Sequence, residues 1–138
     1  MANTSDKALL LMNLGSPDAP EKKAVQRYLN EFLMDSRVLD FNAIFRYFLV
    51  HGIITPFRSE ATAAAYSKVW TKEGSPLVVL TNKLADAVRA KVSFPVKVAM
   101  RYGNPSPKKA FDDLMKEQPD IKEVVVLPLY PHYTMSSY

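Results

Sequence analysis

The sequence contains no cysteine and only four glycines among its 138 residues. The lack of cysteine excludes disulfide bonds, thiolate metal sites, a cysteine nucleophile and an iron–sulfur cluster held by this chain. No basic stretch followed by an apolar one opens the sequence, so we expect no secretory signal. The longest apolar stretch, residues 41–57, is interrupted by Arg46, His51 and Pro56 and is shorter than the roughly 20 apolar residues of a membrane-spanning helix. These features fit a cytoplasmic protein.

Basic residues exceed acidic ones by a small margin, and the formal net charge is +4. The basic residues are scattered, with no basic stripe and no recognisable nucleic-acid module, so we expect no nucleic-acid partner. An anionic small ligand or a membrane surface suits the charge equally well. The length is sufficient for one domain with a buried core, and we expect residues 1–138 to form one domain.

Strands and helices are predicted to alternate along the chain. Residues 7–14, 95–102 and 123–129 have the apolar composition of buried strands. Asp18 is expected to cap the first helix, in a capping box with Glu21 and with Pro20 in the first turn. Further helices are predicted over 42–51 and 59–72, from Ser75-Pro76 to about residue 90, and from Ser106-Pro107 onward. The helix after Ser75 is expected to turn one set of side chains inward: Leu77, Leu80, Leu84, Ala87 and Val88.

This alternation predicts an α/β fold with three layers, α/β/α, around a parallel sheet. The first helix is expected to bury one face from Ala24 to Leu33, and the last helix is expected to bury Phe111 with its neighbours. All four glycines, Gly15, Gly52, Gly74 and Gly103, are expected at breaks between elements. Three strands are fewer than the usual five or six. We therefore expect either a part of a larger domain or further sheet contributed from elsewhere.

Three short stretches could carry chemistry, and each has a purely structural alternative. MNLGSP after the first strand has Gly15 but lacks the G-x-G-x-x-G of a dinucleotide site. Ser75 in EGSPL is either a helix cap or part of a carboxylate-binding helix start. Arg101 in MRYGNP forms either a structural salt bridge or an anion contact. The two histidines, His51 and His132, have no obvious partner for metal binding or base catalysis.

Four stretches in order, LLLMNLGSPDAP, AYSKVWTKEGSPL, MRYGNPSP and LPLYPHYTMSS, resemble the ferrochelatases. These class II chelatases insert Fe²⁺ into a porphyrin in the last step of haem synthesis. The resemblance implies two similar α/β halves, each with a four-stranded parallel sheet, and a cleft between the halves. The chain is similar to the N-terminal portion, so we expect an incomplete first half without the second domain. This would explain the thin sheet.

The resemblance also implies what each residue does. The metal-inserting histidine and its glutamate partner belong to the second half of the family's sequence, so we expect no catalytic and no metal-binding residue in this chain. His51 only superficially copies the histidine motif. Leu14 would contact the macrocycle, Arg58 would pair with a propionate, Tyr66 would pack or hydrogen-bond, and Arg101 would act deeper in the cleft. The residues implied in porphyrin binding are Leu14, Arg58, Tyr66, Ser75, Arg101, Tyr102, Tyr133 and Ser136.

The implied substrates are ferrous iron and a porphyrin, and no cofactor is required. Leucine rather than tyrosine at position 14 favours protoporphyrin IX over coproporphyrin. Residues 41–57 match the apolar lip of the family's cleft, which suggests peripheral membrane contact; alternatively, these aromatics simply pack the second helix onto the sheet. A truncated sheet also favours self-association. The alternatives are a stand-alone tetrapyrrole- or anion-binding module without catalysis, and a chelatase that acts on cobalt or sirohydrochlorin.

Overall fold

A computed structural model describes residues 6–130 of the chain. The described residues divide into two compact units, one of residues 6–15 with 77–130 and the other of residues 16–76. The prediction that residues 1–138 form one domain stays a prediction. In chain order the elements are β1 (Lys7–Ser16), α1 (Lys22–Met34), α2 (Ala43–Phe48), a π-helical segment (Leu49–Ile54), α3 (Thr55–Val69), α4 (Pro76–Arg89), β2 (Val96–Gly103), α5 (Pro107–Glu117) and β3 (Glu123–Pro128).

The first unit is built on a three-stranded sheet in the order β2-β1-β3. β1 and β3 are parallel, with a register from Lys7 opposite Glu123 to Met12 opposite Pro128. β1 is the central strand, which explains its long apolar run, since a central strand is covered on both faces. The predicted α/β fold with a parallel sheet and three strands is confirmed.

Alternate residues of β1 pack on opposite faces of the sheet. Leu9 and Leu11 join a cluster with Ala85 of α4, whereas Ala8 and Leu10 join clusters with Leu114 and Ala110 of α5. Successive side chains of a strand point to opposite faces, so this alternation places α4 on one face and α5 on the other. Leu11 is 1% exposed, and burying such a side chain contributes about 2 kcal/mol.

The second unit is a helical assembly in which α1 packs against α3. Val25 of α1, Val50 of the π-helical segment and Ala63 of α3 form its buried apolar part. The Thr55 hydroxyl donates to Asn30 Oδ1 over 2.7 Å. A second hydrogen bond, from Ser67 Oγ to the Pro20 carbonyl over 3.2 Å, holds the chain just before α1 against α3.

The predicted capping box at the start of the first helix is wrong. α1 begins at Lys22, its N-cap is Glu21 with extended backbone, and no side chain caps it. Asp18 instead lies 3.7 Å from the Arg27 guanidinium. The physical reason is Pro20, because proline disfavours the helical conformation of the residue before it. The helix therefore starts after the proline and not around it.

The helices predicted over 42–51 and 59–72 are joined in the structure. Leu49–Ile54 continues α2 as a π-helix, and α3 follows directly from Thr55. Gly52 lies inside this helical run, so its predicted place at a break is wrong, unlike that of Gly74, which lies in a turn. The Thr55 N–H donates to the Val50 carbonyl, five residues back, and Pro56 has no N–H to satisfy. The wider π turn thus accommodates the proline that sequence reasoning takes as an interruption.

The predicted inward face of α4 is confirmed at Leu77 and Val88, which pack against the core, and is wrong at its other three positions. Leu80 and Leu84 are 65% and 44% exposed, while Thr81 and Ala85 are buried. Thr81 is tolerated inside because its hydroxyl donates to the Leu77 carbonyl over 2.7 Å. Phe111 of α5, predicted to be buried, is 45% exposed because Ala110 and Leu114 occupy the centre of the packed face.

Candidate functional site

The carboxyl ends of β1 and β2 approach each other closely at Gly15. Gly15 has φ +116°, and a Cβ built there would lie 1.8 Å from the Tyr102 carbonyl oxygen. Only glycine avoids both the strained backbone and this overlap. β1 continues through Gly15 to Ser16, so the prediction that the first strand ends at Gly15 is wrong. The glycine instead allows β1 and β2 to approach each other closely. The close approach fixes Leu14 beside the end of β2.

Leu14 is further held by its neighbour Asn13. The Leu14 N–H donates to Asn13 Oδ1 over 2.8 Å, and Asn13 Nδ2 donates to Thr81 Oγ1 of α4 over 3.0 Å. Asn13 thereby links the end of β1 to the helix that covers it. Leu14 is half-buried, which leaves part of its side chain available for an apolar contact.

Arg101 and Tyr102 end β2 on the same side of the unit as Leu14. The Arg101 guanidinium carbon lies 5.1 Å from the centre of the Tyr102 ring, within the range of a cation–π contact. Tyr102 is 2% exposed, whereas Arg101 is half-buried. The structure therefore makes Tyr102 a support for Arg101 and leaves the arginine as the more accessible of the two.

In the second unit, Arg58 and Tyr66 belong to one row of α3. Arg58, Thr62, Tyr66 and Trp70 follow at every fourth residue, so they form one ridge along the helix. The neighbouring row, Thr55, Ser59 and Ala63, is buried. Arg58 is exposed and Tyr66 is half-buried, and the eight-residue separation corresponds to about 12 Å along the axis. The ridge presents a guanidinium and a phenol along one flank of the helix.

Tyr66 is held between aromatic neighbours. Its ring meets that of Trp70 edge to face at 6.3 Å. Burial raises the pKa of the Tyr66 phenol, and a hydrogen bond with the Tyr28 side chain acts in the opposite direction. Tyr66 is therefore a neutral hydroxyl across the physiological pH range.

Ser75 is placed by a tight turn after α3. The Thr71 N–H donates to the Gly74 carbonyl over 3.0 Å, and the Gly74 N–H donates back to the Thr71 carbonyl over 3.1 Å. Gly74 has φ +121°, a conformation that suits glycine. Ser75 is 6% exposed and directly precedes α4.

Residues 41–57 carry most of the exposed aromatic surface of the described chain. Seven large side chains here are about half exposed or more: Phe41, Ile44, Phe45, Tyr47, Phe48, Ile53 and Phe57. Asn42 caps α2 by accepting from the Ile44 N–H over 2.9 Å. His51 stacks on Tyr47 at 4.4 Å, and its Nδ1 lies 3.1 Å from the Tyr47 carbonyl oxygen. These contacts within one helix are those of a surface histidine.

Within residues 6–130, no three His, Asp or Glu side chains lie close enough together to hold a metal ion. The helices of that region are each too short or too polar to cross a membrane. Tyr133 and Ser136, predicted to contact porphyrin, and His132 lie outside the described residues.

Sequence reasoning missed three residues that support this region. Asn13 and Thr81 form the link between β1 and α4, and Tyr28 is the partner of Tyr66. A polar residue inside an apolar strand or on an apolar helix face indicates a buried hydrogen bond, so MNL and VVLTN contained a usable signal. Nothing in the sequence pairs Tyr28 with Tyr66, because they lie on different helices.

The comparisons with known proteins agree with the resemblance. The model of the family described as Ferrochelatase matches residues 6–138. The chain is 45% identical to the ferrochelatase of Xylella fastidiosa (strain M12) and 46% identical to that of Xanthomonas axonopodis pv. citri (strain 306), with 99% of the chain aligned in both cases. Identity to the ferrochelatase of Porphyromonas gingivalis is 47%, with 96% of the chain aligned. The chain spans 42%, 43% and 37% of the lengths of these three relatives. This chain belongs to the ferrochelatase family.

Proposed function

We propose that this chain supplies one wall of the porphyrin cleft of a ferrochelatase, which inserts Fe²⁺ into protoporphyrin IX to form protohaem. The observation that carries the proposal is the family match over residues 6–138. The geometry of each unit supports it, because the residues implied in porphyrin binding include a half-buried leucine, an exposed arginine and a half-buried neutral tyrosine. A flat apolar ring with carboxylates at its edge requires these types of side chain.

The ridge of α3 is suited to a propionate. Arg58 is exposed, and a guanidinium stays charged at all physiological pH values and binds carboxylates with two parallel hydrogen bonds. Tyr66 adds a neutral hydroxyl on the same ridge. We propose that Arg58 pairs with one propionate and that Tyr66 donates a hydrogen bond to a carboxylate.

The end of β1 is suited to the face of the macrocycle. Leu14 offers an apolar side chain without an oxygen or nitrogen ligand for iron, and the hydrogen bond from its N–H to Asn13 holds its backbone in place. Arg101 lies beside it on β2. We propose that Leu14 contacts the ring. We propose that Arg101 lies deeper in the cleft, where it takes part in the transfer of the metal or of protons, or forms a structural ion pair.

Metal insertion requires the loss of two pyrrole protons and exposure of the nitrogen lone pairs. A pocket achieves this by bending the ring, so that binding energy is used for strain. The proton acceptor would be a histidine with an acidic partner. By the resemblance to the family, we propose that these groups belong to the part of the family's sequence that this chain does not cover, and that the chain alone does not insert iron.

A second candidate is a tetrapyrrole- or anion-binding module without catalysis. The exposed Arg58 favours it, because a guanidinium can bind a carboxylate without any catalytic group. The other alternative is a chelatase that acts on cobalt or sirohydrochlorin. An assay of metal insertion by absorbance, with Co²⁺ in place of Fe²⁺ or sirohydrochlorin in place of protoporphyrin IX, would reveal it.

Protoporphyrin IX titrated into the chain, followed by porphyrin fluorescence, tests the proposed wall. We expect saturable binding that weakens at least about tenfold in Arg58→Ala, since a hydrogen bond to a charged group contributes about 1.5–3 kcal/mol. Arg27→Ala is the matched control, because Arg27 is also an exposed arginine, on α1. Equal weakening in both variants would contradict a specific role for Arg58.

We further propose that residues 41–57 touch a membrane surface and that the protein is cytoplasmic and membrane-peripheral. The exposed Phe45 and Phe48, at 56% and 68%, support this proposal. Co-sedimentation with anionic vesicles should fall in Phe48→Ser and remain in Phe111→Ser, which removes an exposed phenylalanine of α5.

We also propose self-association through the open edge of β3, where Val125, Val126 and Leu127 are nearly half exposed.

A further inference from the structure

The Leu14 N–H lies beyond the part of β1 that pairs with β3, and it donates to a side chain. The register of the two strands ends at Met12, and the Leu14 N–H donates to Asn13 Oδ1 over 2.8 Å. Asn13 Nδ2 in turn donates to Thr81 Oγ1 over 3.0 Å, and the Thr81 hydroxyl donates to the Leu77 carbonyl oxygen over 2.7 Å. These hydrogen bonds connect the backbone of Leu14 to the first turn of α4.

The donor and acceptor roles in this network are fixed by its two ends. A backbone N–H can only donate, so the Asn13 amide must turn its oxygen to Leu14 and its nitrogen to Thr81. Because that nitrogen can only donate, Thr81 Oγ1 must accept, and the hydroxyl proton is left for the Leu77 carbonyl. Thr81 is 3% exposed. Removal of its hydroxyl would therefore leave the Asn13 N–H without its partner and with little access to water.

The network lies where the apolar layer between β1 and α4 ends. Leu11 packs with Ala85 of α4. Asn13 lies two residues further along the strand, and Thr81 lies one turn earlier in the helix, so the polar pair extends the same two rows. Leu14 is the next residue of the strand, and its side chain points to the opposite face. A shift of the Asn13 side chain would therefore move the Leu14 backbone and change where the leucine side chain lies.

We propose that Asn13 and Thr81 are positioning residues that hold Leu14 against the face of the bound porphyrin. The inference rests on the proposed function, in which Leu14 contacts the ring, and adds two residues that act through it. Gly15 restrains the other side of Leu14, because its backbone lies against that of Tyr102. Leu14 is thus held from both sides along the chain. A contact that is fixed before the ligand arrives loses less entropy on binding.

The first test measures hydrogen exchange of the Leu14 N–H by NMR, relative to that of Leu11 in the core of the same strand. Thr81→Val keeps the shape of the side chain and removes the hydroxyl. It should raise the relative exchange rate at Leu14 about fivefold, as expected for the loss of one hydrogen bond. Thr81→Ser keeps the hydroxyl and should leave the rate unchanged. An unchanged rate in Thr81→Val overturns the inference.

Thr55→Val is the matched control for this exchange experiment. It makes the same atomic change at another buried threonine, whose hydroxyl also bonds to an asparagine side chain, that of Asn30. The exchange rate at Leu14 should not respond to it. A rise as large as that in Thr81→Val would show a general loss of stability and overturn the positioning role.

The second test follows binding of protoporphyrin IX by porphyrin fluorescence. Thr81→Val should weaken binding about fivefold, again the equivalent of one hydrogen bond, and Thr81→Ser should not. In a Leu14→Ala background, Thr81→Val should have no further effect, because the side chain that it positions is absent. An equal loss in both backgrounds, or full binding in Thr81→Val, overturns the positioning role. Thermal unfolding of each variant checks that the chain remains folded.

The two tests separate this inference from the proposed function. If protoporphyrin IX does not bind the unsubstituted chain, the porphyrin wall is refuted, and the role of Asn13 and Thr81 toward the ligand is refuted with it. Faster exchange at Leu14 in Thr81→Val would then still establish the network as a support of the strand end. If the unsubstituted chain binds and Thr81→Val binds equally well, the porphyrin wall stands and the inference alone is refuted.

Discussion

At the scale of single residues, Gly15 is a tightly constrained position of the first unit. Gly15→Ala should destabilise the chain by more than about 3 kcal/mol, because the new Cβ overlaps backbone at φ +116°. Urea unfolding measures the change. Gly52→Ala is the control, since its Cβ meets no atom within 4 Å, and it should stabilise the helical run by roughly 0.5–1 kcal/mol. Equal effects at both positions would contradict the close approach of β1 and β2.

Ser59 is buried without a use for its hydroxyl. Its exposure is 0%, and Ser59 Oγ finds no hydrogen-bond partner among residues 6–130. Ser59→Ala should leave the free energy of unfolding unchanged or raise it by about 1 kcal/mol, since it removes a buried polar group that has no bond to lose. Thr55→Val, one turn earlier, should lower it by about 1–3 kcal/mol, because Asn30 loses its donor. Thermal unfolding distinguishes the two, and a loss of stability in Ser59→Ala would show that the hydroxyl is bonded.

The raised pKa of Tyr66 predicts how the free energy of unfolding responds to alkaline pH. Burial raises its pKa in the folded chain above the ordinary value of 10.0, so the folded state keeps a proton that the unfolded state loses. This contribution is fully present below about pH 10 and disappears as the pH rises through the folded pKa. The free energy of unfolding should therefore fall more steeply above pH 10 in the unsubstituted chain than in Tyr66→Phe. Parallel curves for the two proteins would contradict the assignment.

At the scale of elements, the sequence predicted which segments are strands and which are helices, and failed mostly at boundaries involving proline. Pro107 marks the start of α5 because Ser106 caps it by accepting from the Lys109 N–H. The prediction was wrong near Pro20 and Pro56. α1 begins only after Pro20, and Pro56 lies in a continuous helical run, directly after the π-helical segment. Local patterns do not contain this information, since a proline near a helix start fits more than one backbone path.

The edge strand β3 carries the prediction of self-association. Val126→Lys should reduce concentration-dependent association in sedimentation experiments, because a charge on an open edge disfavours strand pairing. Val126 is 48% exposed, so the fold should tolerate the lysine. Phe111→Lys changes a side chain of similar exposure, 45%, away from the edge and should leave association intact. A monomeric unsubstituted chain at high concentration would refute the prediction.

At the scale of the whole molecule, four ordered motifs were enough to predict the family, and the alternation of elements was enough to predict the α/β class. The supporting residues were harder to predict, because Asn13 with Thr81 and Tyr28 with Tyr66 are joined only by tertiary contacts. Part of the inward face of α4 was misjudged for the same reason: Thr81, whose hydroxyl is hydrogen-bonded, is buried, whereas Leu80 is exposed. Periodicity predicts that a face exists, but not which polar residue is satisfied within it.

We propose, for the molecule as a whole, that this chain holds a porphyrin but does not insert the metal. The most direct test mixes the purified chain anaerobically with protoporphyrin IX and Fe²⁺ and follows the absorbance spectrum. We expect a red-shifted porphyrin band, lost in Arg58→Ala, with no conversion to the haem spectrum beyond a control without protein. Haem formation by the chain alone would contradict the assignment of the inserting groups to sequence outside this chain, and an unchanged porphyrin spectrum would contradict the porphyrin wall itself.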